Sequence, residues 1–187
     1  MKEIKEERFG TERALYASRG IKLQSCRFEG AEDGESALKE GRDICAQDCF
    51  FALRYPFWHV RTAVLENCEM TDTCRAALWY DSDLTIRGCT LGGIKAVREC
   101  RGVKIEKTRI DSPEFGWKSR NISLHDCSLV SEYAFLESRN IRAEGLTFTG
   151  KYSFQYTRNV TLSHSEFHTK DAFWHAKNVT LTDCVKR

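Results

Sequence analysis

Ile122-Ser-Leu-His-Asp-Cys-Ser-Leu129 reads apolar, polar, apolar, a short polar stretch ending in Cys, then apolar again, and the pattern returns along most of the chain. Ile21-Lys-Leu-Gln-Ser-Cys-Arg-Phe28 and Val160-Thr-Leu-Ser-His-Ser-Glu-Phe167 follow the same template. The copies start at Ile21, Ile44, Ala63, Leu84, Val103, Ile122, Ile141, Val160 and Val179, with spacings of 23, 19, 21, 19, 19, 19, 19 and 19 residues. So strict a period means that each coil of chain stacks on the one before it, which is a solenoid.

The patterning inside one repeat specifies strands. Places 1 and 3 are apolar, as in Ile122 and Leu124, while place 2 carries Lys22, Thr85, Lys104, Ser123, Arg142 or Thr161. Alternation of period two with β-branched residues is a strand with one buried face. Place 8 is apolar in all eight full rungs, from Phe28 to Phe167. A second strand is expected around place 14, in Ala134-Phe135-Leu136, Ser153-Phe154-Gln155 and Ala172-Phe173-Trp174, with Gly116 the only polar or small exception at that place. No segment keeps a 3.6 period for three turns, so a helical reading fails. The expected fold is all-β: a single-stranded, right-handed parallel β-helix of about eight full rungs and a partial ninth. Residues 1–20 break the period and are expected to cap the first rung, with the β-helix over 21–187 as one domain.

The last place of each rung holds Asp43, Thr62, Asp83, Gly102, Asn121, Asn140, Asn159 and Asn178. These residue types tolerate left-handed backbone, so a tight corner is expected there, with the asparagines bonded up and down the stack. The sequons at Asn121, Asn159 and Asn178 follow from that corner rather than from glycan attachment. Six of the nine cysteines (Cys26, Cys49, Cys68, Cys89, Cys127 and Cys184) share place 6, with no C-x-x-C in the chain. A column of small, soft, buried thiols is expected, not disulfides or metal. Cys45, Cys74 and Cys100 fall outside it.

The bulk numbers exclude several classes of function. A net charge of +2 with 30% charged residues gives no global field that points to nucleic acid. No apolar run approaches membrane-spanning length, and the charged start Met1-Lys-Glu-Ile-Lys-Glu-Glu-Arg8 lacks the apolar core of a signal peptide, so a cytoplasmic location is expected. The last rung ends after Val179-Thr-Leu-Thr-Asp-Cys184 with no cap, so the expectation is either a homo-oligomer joined end to end through that rung or a shortened version of a longer protein.

Phe9-Gly-Thr-Glu-Arg-Ala-Leu-Tyr16, Gly34-Glu-Ser-Ala-Leu-Lys-Glu40, Tyr55-Pro-Phe-Trp-His59, Arg75-Ala-Ala-Leu-Trp-Tyr80, Gly150-Lys-Tyr-Ser-Phe-Gln155 and Lys170-Asp-Ala-Phe-Trp174 carry a resemblance that spans essentially the whole chain. The chain resembles pectin-lyase-like β-helices and, more closely, an uncharacterised bacterial domain-of-unknown-function family whose members typically carry a few further rungs. The resemblance implies the fold and brings no activity with it.

Stacking turns repeat places into outer columns, and three of these carry chemistry. Place 15 reads Lys39, Trp58, Trp79, Arg98, Trp117, Leu136, Gln155 and Trp174, beside Glu40, His59, Tyr80, Glu99, Lys118, Glu137, Tyr156 and His175 at place 16. Indoles among polar neighbours suit a sugar: flat apolar rings for the pyranose and hydrogen bonds for its hydroxyls. Equally, the rings could cover one another. Place 18 is basic in Arg42, Arg61, Arg101, Arg120, Arg139, Arg158 and Lys177, with Ser82 the gap. That column reads either as a solvated corner offset by Glu40, Glu99 and Glu137 or as a track for an acidic polymer. Place 4 sets Glu66 and Glu106 two rungs apart with Arg87 between them, roughly 9.5 Å, the upper end of the separation of an inverting glycosidase pair. Acid–base–acid stacking also serves simply to keep like charges apart.

Asp48 and Asp126 share a place but lie four rungs apart, so no aspartate cluster forms, and His164, His168 and His175 sit at different corners of one rung. No cofactor or metal is implied. The sequence therefore favours a non-catalytic binding module for carbohydrate or acidic polymer, with Lys39, Trp58, His59, Trp79, Tyr80, Arg98 and Trp117 as its platform. A carbohydrate-active enzyme using Glu66, Arg87 and Glu106 is the second reading, and an oligomerising scaffold the third.

Overall fold

A computed structural model describes residues 1–187. Ten strands, from Lys2–Lys5 and Arg19–Gln24 through Arg120–His125 to Lys177–Thr182, form one wholly parallel sheet in strict chain order. Ten shorter strands, from Arg8–Phe9 to Val185–Lys186, form a second sheet in the same order. The chain is a parallel β-helix, and no helix in it is long and apolar enough to cross a membrane. The one helical segment is a single 3-10 turn at Asp72–Cys74.

The register matches the repeat, since Ile21, Ile44, Ala63, Leu84, Val103, Ile122, Ile141, Val160 and Val179 pair rung to rung. These residues, place 3 and place 8 point inward and form one continuous core. The rung count is corrected to ten. Residues 1–20 are a full coil and not a cap: Lys2 pairs with Ile21, Arg8 with Arg27, and Phe9 stacks on Phe28 at 5.0 Å. This coil is concealed in the sequence because Lys2 and Glu7 stand where later rungs carry an apolar residue and a thiol.

Three left-handed columns turn the corners. The expected column at the rung's last place has φ between 54° and 61° from Asp43 to Asn178, with Gly102 at 74°. The others run through place 5 (Ser25, Asp48, Asn67, Gly88 and onward) and place 16 (Glu40, His59, Tyr80 and onward). The asparagine ladder forms: the amides of Asn140, Asn159 and Asn178 each donate to the side-chain oxygen of the Asn one rung below, at 2.9, 3.0 and 2.7 Å. All nine cysteines are free thiols. The six of place 6 each donate to a backbone carbonyl of the preceding rung, as Cys26 does to Ile4 at 3.4 Å and Cys184 to Leu162 at 3.5 Å.

The strand expected around place 14 requires correction. It exists only in Phe57–Trp58, Leu78–Trp79 and Val97–Arg98, which form a third, three-stranded sheet extended by a bridge from Arg98 to Trp117. From Gly116 onward place 14 is left-handed, at Gly116 (φ 74°), Phe135 (62°), Phe154 (59°) and Phe173 (67°). Gly116 marks the change for a steric reason. A Cβ there would meet the Phe135 ring at 2.6 Å, and buried Phe115 supplies the apolar filling instead, edge-on to Phe135 at 5.4 Å. Above it, Phe135, Phe154 and Phe173 stack at 5.0 Å spacing.

Candidate functional site

The third sheet stacks its outer residues face to face. Trp58 and Trp79 lie 5.0 Å apart and only 5° from parallel. The Lys39 ammonium caps Trp58 at 4.1 Å and the Arg98 guanidinium caps Trp79 at 4.9 Å. Tyr80 lies against Trp79 at 5.3 Å, and His59 is edge-on to Tyr80 at 6.3 Å. Trp117 donates its indole N–H to the Tyr133 carbonyl at 2.6 Å and has Lys95 over its ring at 5.0 Å. The structure thus brings Lys39, Trp58, His59, Trp79, Tyr80 and Arg98 together, with Trp117 a rung further on. The indole faces that a pyranose would need are covered by other rings and by cations, each such contact contributing about 0.5–1 kcal/mol.

One corner further round, a shallow groove of about 580 Å³ follows the stack between places 16 and 18. One wall carries Glu40, His59, Tyr80, Glu99, Lys118 and Glu137, and the other carries Arg42, Arg61, Arg101, Arg120 and Arg139. The basic column is longer than the groove. Arg19, Arg42, Arg61, Ser82, Arg101, Arg120, Arg139, Arg158 and Lys177 pair in register through nine rungs. The glutamates expected to offset it are engaged elsewhere: Glu40 with His59 at 3.0 Å and Glu137 with Lys118 at 3.9 Å within their own wall, and Glu99 with neighbouring Arg98 at 3.1 Å. None of the eight basic residues has a carboxylate within 4.0 Å.

Asp81 forms part of the groove floor directly beneath the Ser82 gap, and it is 1% exposed. Its Oδ1 accepts the Val60 N–H at 2.7 Å, while Oδ2 has no partner. Burial pushes this carboxyl well above the usual carboxylate range, and the backbone N–H groups of Val60 and His59 offset that only in part.

Glu66, Arg87 and Glu106 lie on the outer face of the first sheet, away from this groove. Arg87 bridges the two acids, at 3.1 Å to Glu66 and 3.5 Å to Glu106, and Lys104 also reaches Glu106 at 3.4 Å. The geometry is an alternating charge ladder, continued by His125 and Glu144 at 4.0 Å. The histidines of the ninth rung are dispersed: His164 faces Asp183 at 3.7 Å, His168 faces Glu166 at 2.9 Å, and His175 stacks on Tyr156 at 5.1 Å.

A second concavity of about 620 Å³ opens on the later rungs, lined by Tyr133, Tyr152, Gln155, Asp171, Phe173 and Trp174, with Ala172 and His175 completing it. Trp174 is 57% exposed and is braced by His175 at 4.5 Å and Tyr156 at 5.7 Å. Tyr133 and Tyr152 lie 5.4 Å apart, and the Tyr133 hydroxyl donates to Gln155 Oε1 at 2.8 Å.

The profile of one sequence family, described as a protein of unknown function (DUF3737), matches residues 2–186. The chain belongs to the DUF3737 family. No curated protein matches this DUF3737 chain. Among solved structures it is similar to PfbA, a surface adhesin of Streptococcus pneumoniae, at 10% identity and a TM-score of 0.34 over 99% of this chain. The DUF3737 chain spans 61% of the length of that PfbA chain. It is also similar to QnrB1, a plasmid-mediated fluoroquinolone resistance protein, at 14% identity and a TM-score of 0.26, covering 96% of this chain and 91% of that one. A putative glycosyl hydrolase from Parabacteroides merdae follows at 9% identity and a TM-score of 0.24, covering 89% and 83%.

Sequence reasoning passed over the later concavity of this DUF3737 chain. A signal was present, since Tyr133, Tyr152 and Asp171 recur every 19 residues at place 12, facing Gln155 and Trp174 at place 15. The period shows that these two columns exist. It does not show that the backbone between them turns left-handed and opens a space.

Proposed function

We propose that this chain is a non-catalytic binding module for an acidic polysaccharide, held along the basic column between places 16 and 18. The observation that carries this reading is that eight basic residues stand in register over nine rungs, none paired with a carboxylate. Adjacent charges at the rung spacing of about 4.8 Å repel by up to roughly 0.9 kcal/mol each, even in water. A polymer with one carboxylate per ring relieves that repulsion and offers guanidinium groups the planar partner that they bind best. Its ring-to-ring advance is of the same order as one rung. A strand of duplex DNA advances about 3.4 Å per phosphate and falls out of step with the rungs within a few steps.

Calorimetric titration with polygalacturonate across a salt series tests the reading, with a duplex oligonucleotide as the competing probe. Polygalacturonate is expected to bind and to weaken steeply as salt rises. Replacing exposed Arg101 and Arg139 together by Glu is expected to weaken it by at least about tenfold, with the circular dichroism spectrum unchanged. Failure of polygalacturonate to bind at low salt overturns the proposal, and tighter binding of the oligonucleotide replaces it with nucleic-acid recognition.

A further inference from the structure

We infer that the concavity on the later rungs holds a single neutral pyranose ring, at a site separate from the basic column. Gln155 decides the chemistry. The residue is only 4% exposed, and its Oε1 is engaged by the Tyr133 hydroxyl at 2.8 Å. That bond sets the amide so that Nε2 is the free end, and this nitrogen donates to no protein group although Gln155 lines the cavity. Those unused donors face the cavity and are available to an acceptor on a ligand that takes the place of water there.

The surroundings supply the rest of a sugar's needs. Tyr152 and Trp174 are the exposed rings of the lining, and Phe173 lies between them in sequence at the left-handed corner. Asp171 is exposed and in no ion pair, so its carboxylate is free to accept hydroxyl protons. The volume of about 620 Å³ falls within the usual range of small-ligand pockets, about 300–1,000 Å³. Donor, acceptor and apolar ring face together match a pyranose, which offers hydroxyls on its rim and C–H groups on its faces. Aromatic side chains beside a carboxylate also suit a quaternary ammonium. The trimethylammonium head itself has no acceptor to give Gln155, and choline brings a single hydroxyl where a pyranose brings several, so the free amide favours the sugar.

The test uses the intact chain and saturation-transfer and indole-resonance NMR. The probes are the methyl glycosides of glucose, galactose, mannose and N-acetylglucosamine, with choline as the cationic alternative. At least one glycoside is expected to bind with millimolar affinity, to shift one indole N–H, and to bind equally well in high salt, where polygalacturonate is released. Trp174→Ala, at an exposed position, is expected to weaken it at least tenfold. Gln155→Leu, matched in size, is expected to do the same while leaving the spectrum folded. Binding of choline with no glycoside overturns the inference, as does the absence of any bound glycoside or an affinity indifferent to Trp174→Ala. The salt dependence separates failure here from failure of the polymer reading.

Discussion

The stretch from Phe57 to Arg98 and the stretch from Gly116 to Trp174 use the same repeat places and build opposite surfaces. In the first, place 14 is strand, so places 15 of successive rungs are held in register and Trp58 lies flat on Trp79 at 5.0 Å. In the second, place 14 is left-handed, the third sheet is lost and Trp174 stands 57% exposed beside a cavity. Left-handed backbone at a bulky residue costs on the order of 1–3 kcal/mol. The rings of Phe135, Phe154 and Phe173, stacked at 5.0 Å, offset part of that cost at about 0.5–1.5 kcal/mol per pair. Local strain and a ladder of phenyl rings are therefore what keep the later surface open, whereas ordinary strand pairing closes the earlier one.

The contrast is broken most severely at Phe154, which is fully buried between Phe135 and Phe173. Phe154→Ala is expected to destabilise the chain by about 3–5 kcal/mol in urea unfolding, with the loss centred on the later rungs in hydrogen exchange. Gly116→Ala attacks the junction, since the added methyl meets the Phe135 ring at 2.6 Å on a backbone with φ of 74°. A loss of about 2–3 kcal/mol is expected in the same measurement.

A subtler probe lies under the earlier surface. Burial raises the Asp81 carboxyl well above its ordinary value of 3.8, so the folded chain keeps a proton that the unfolded chain has released. The group's contribution is full below that ordinary value and is lost as pH rises towards the folded one. Asp81→Asn carries no such proton. Its urea midpoint is expected to gain on the parent between about pH 4 and pH 7, and a difference independent of pH would contradict the assignment. Smallest is Lys39→Met, which removes the cation over Trp58 and is expected to cost about 0.5–1 kcal/mol while leaving the later cavity untouched.

The periodicity made the fold legible because a solenoid repeats its burial pattern once per coil. Ile122, Leu124, Cys127 and Leu129 announce an inward-facing rung by residue type alone, and the column at Asn121, Asn140, Asn159 and Asn178 announces its corner. Place 14 was legible only as apolar. Phe57 in a strand and Phe154 at a left-handed corner are both buried, so the hydrophobic pattern is the same for two backbones of opposite sign. Gly116 was visible as an exception, but its meaning required knowing where the Phe135 ring lies. The basic column was legible as a column, whereas its lack of partners was not. Whether Glu99 turns to Arg98 or to Arg101 depends on side-chain direction at a corner, which spacing does not encode.

The thiols that line the interior give the molecule a built-in gauge of fraying. They are distributed from Cys26 to Cys184 and none is consumed in a disulfide, so an alkylating reagent can reach each of the seven buried ones only when its own coil loosens. Cys45 and Cys184, the two partly accessible ones, report the resting surface. Cys74, held protonated by burial with its pKa pushed up to about 12, and fully enclosed Cys100 report only deep opening. The order in which they react is the order in which the stack unzips.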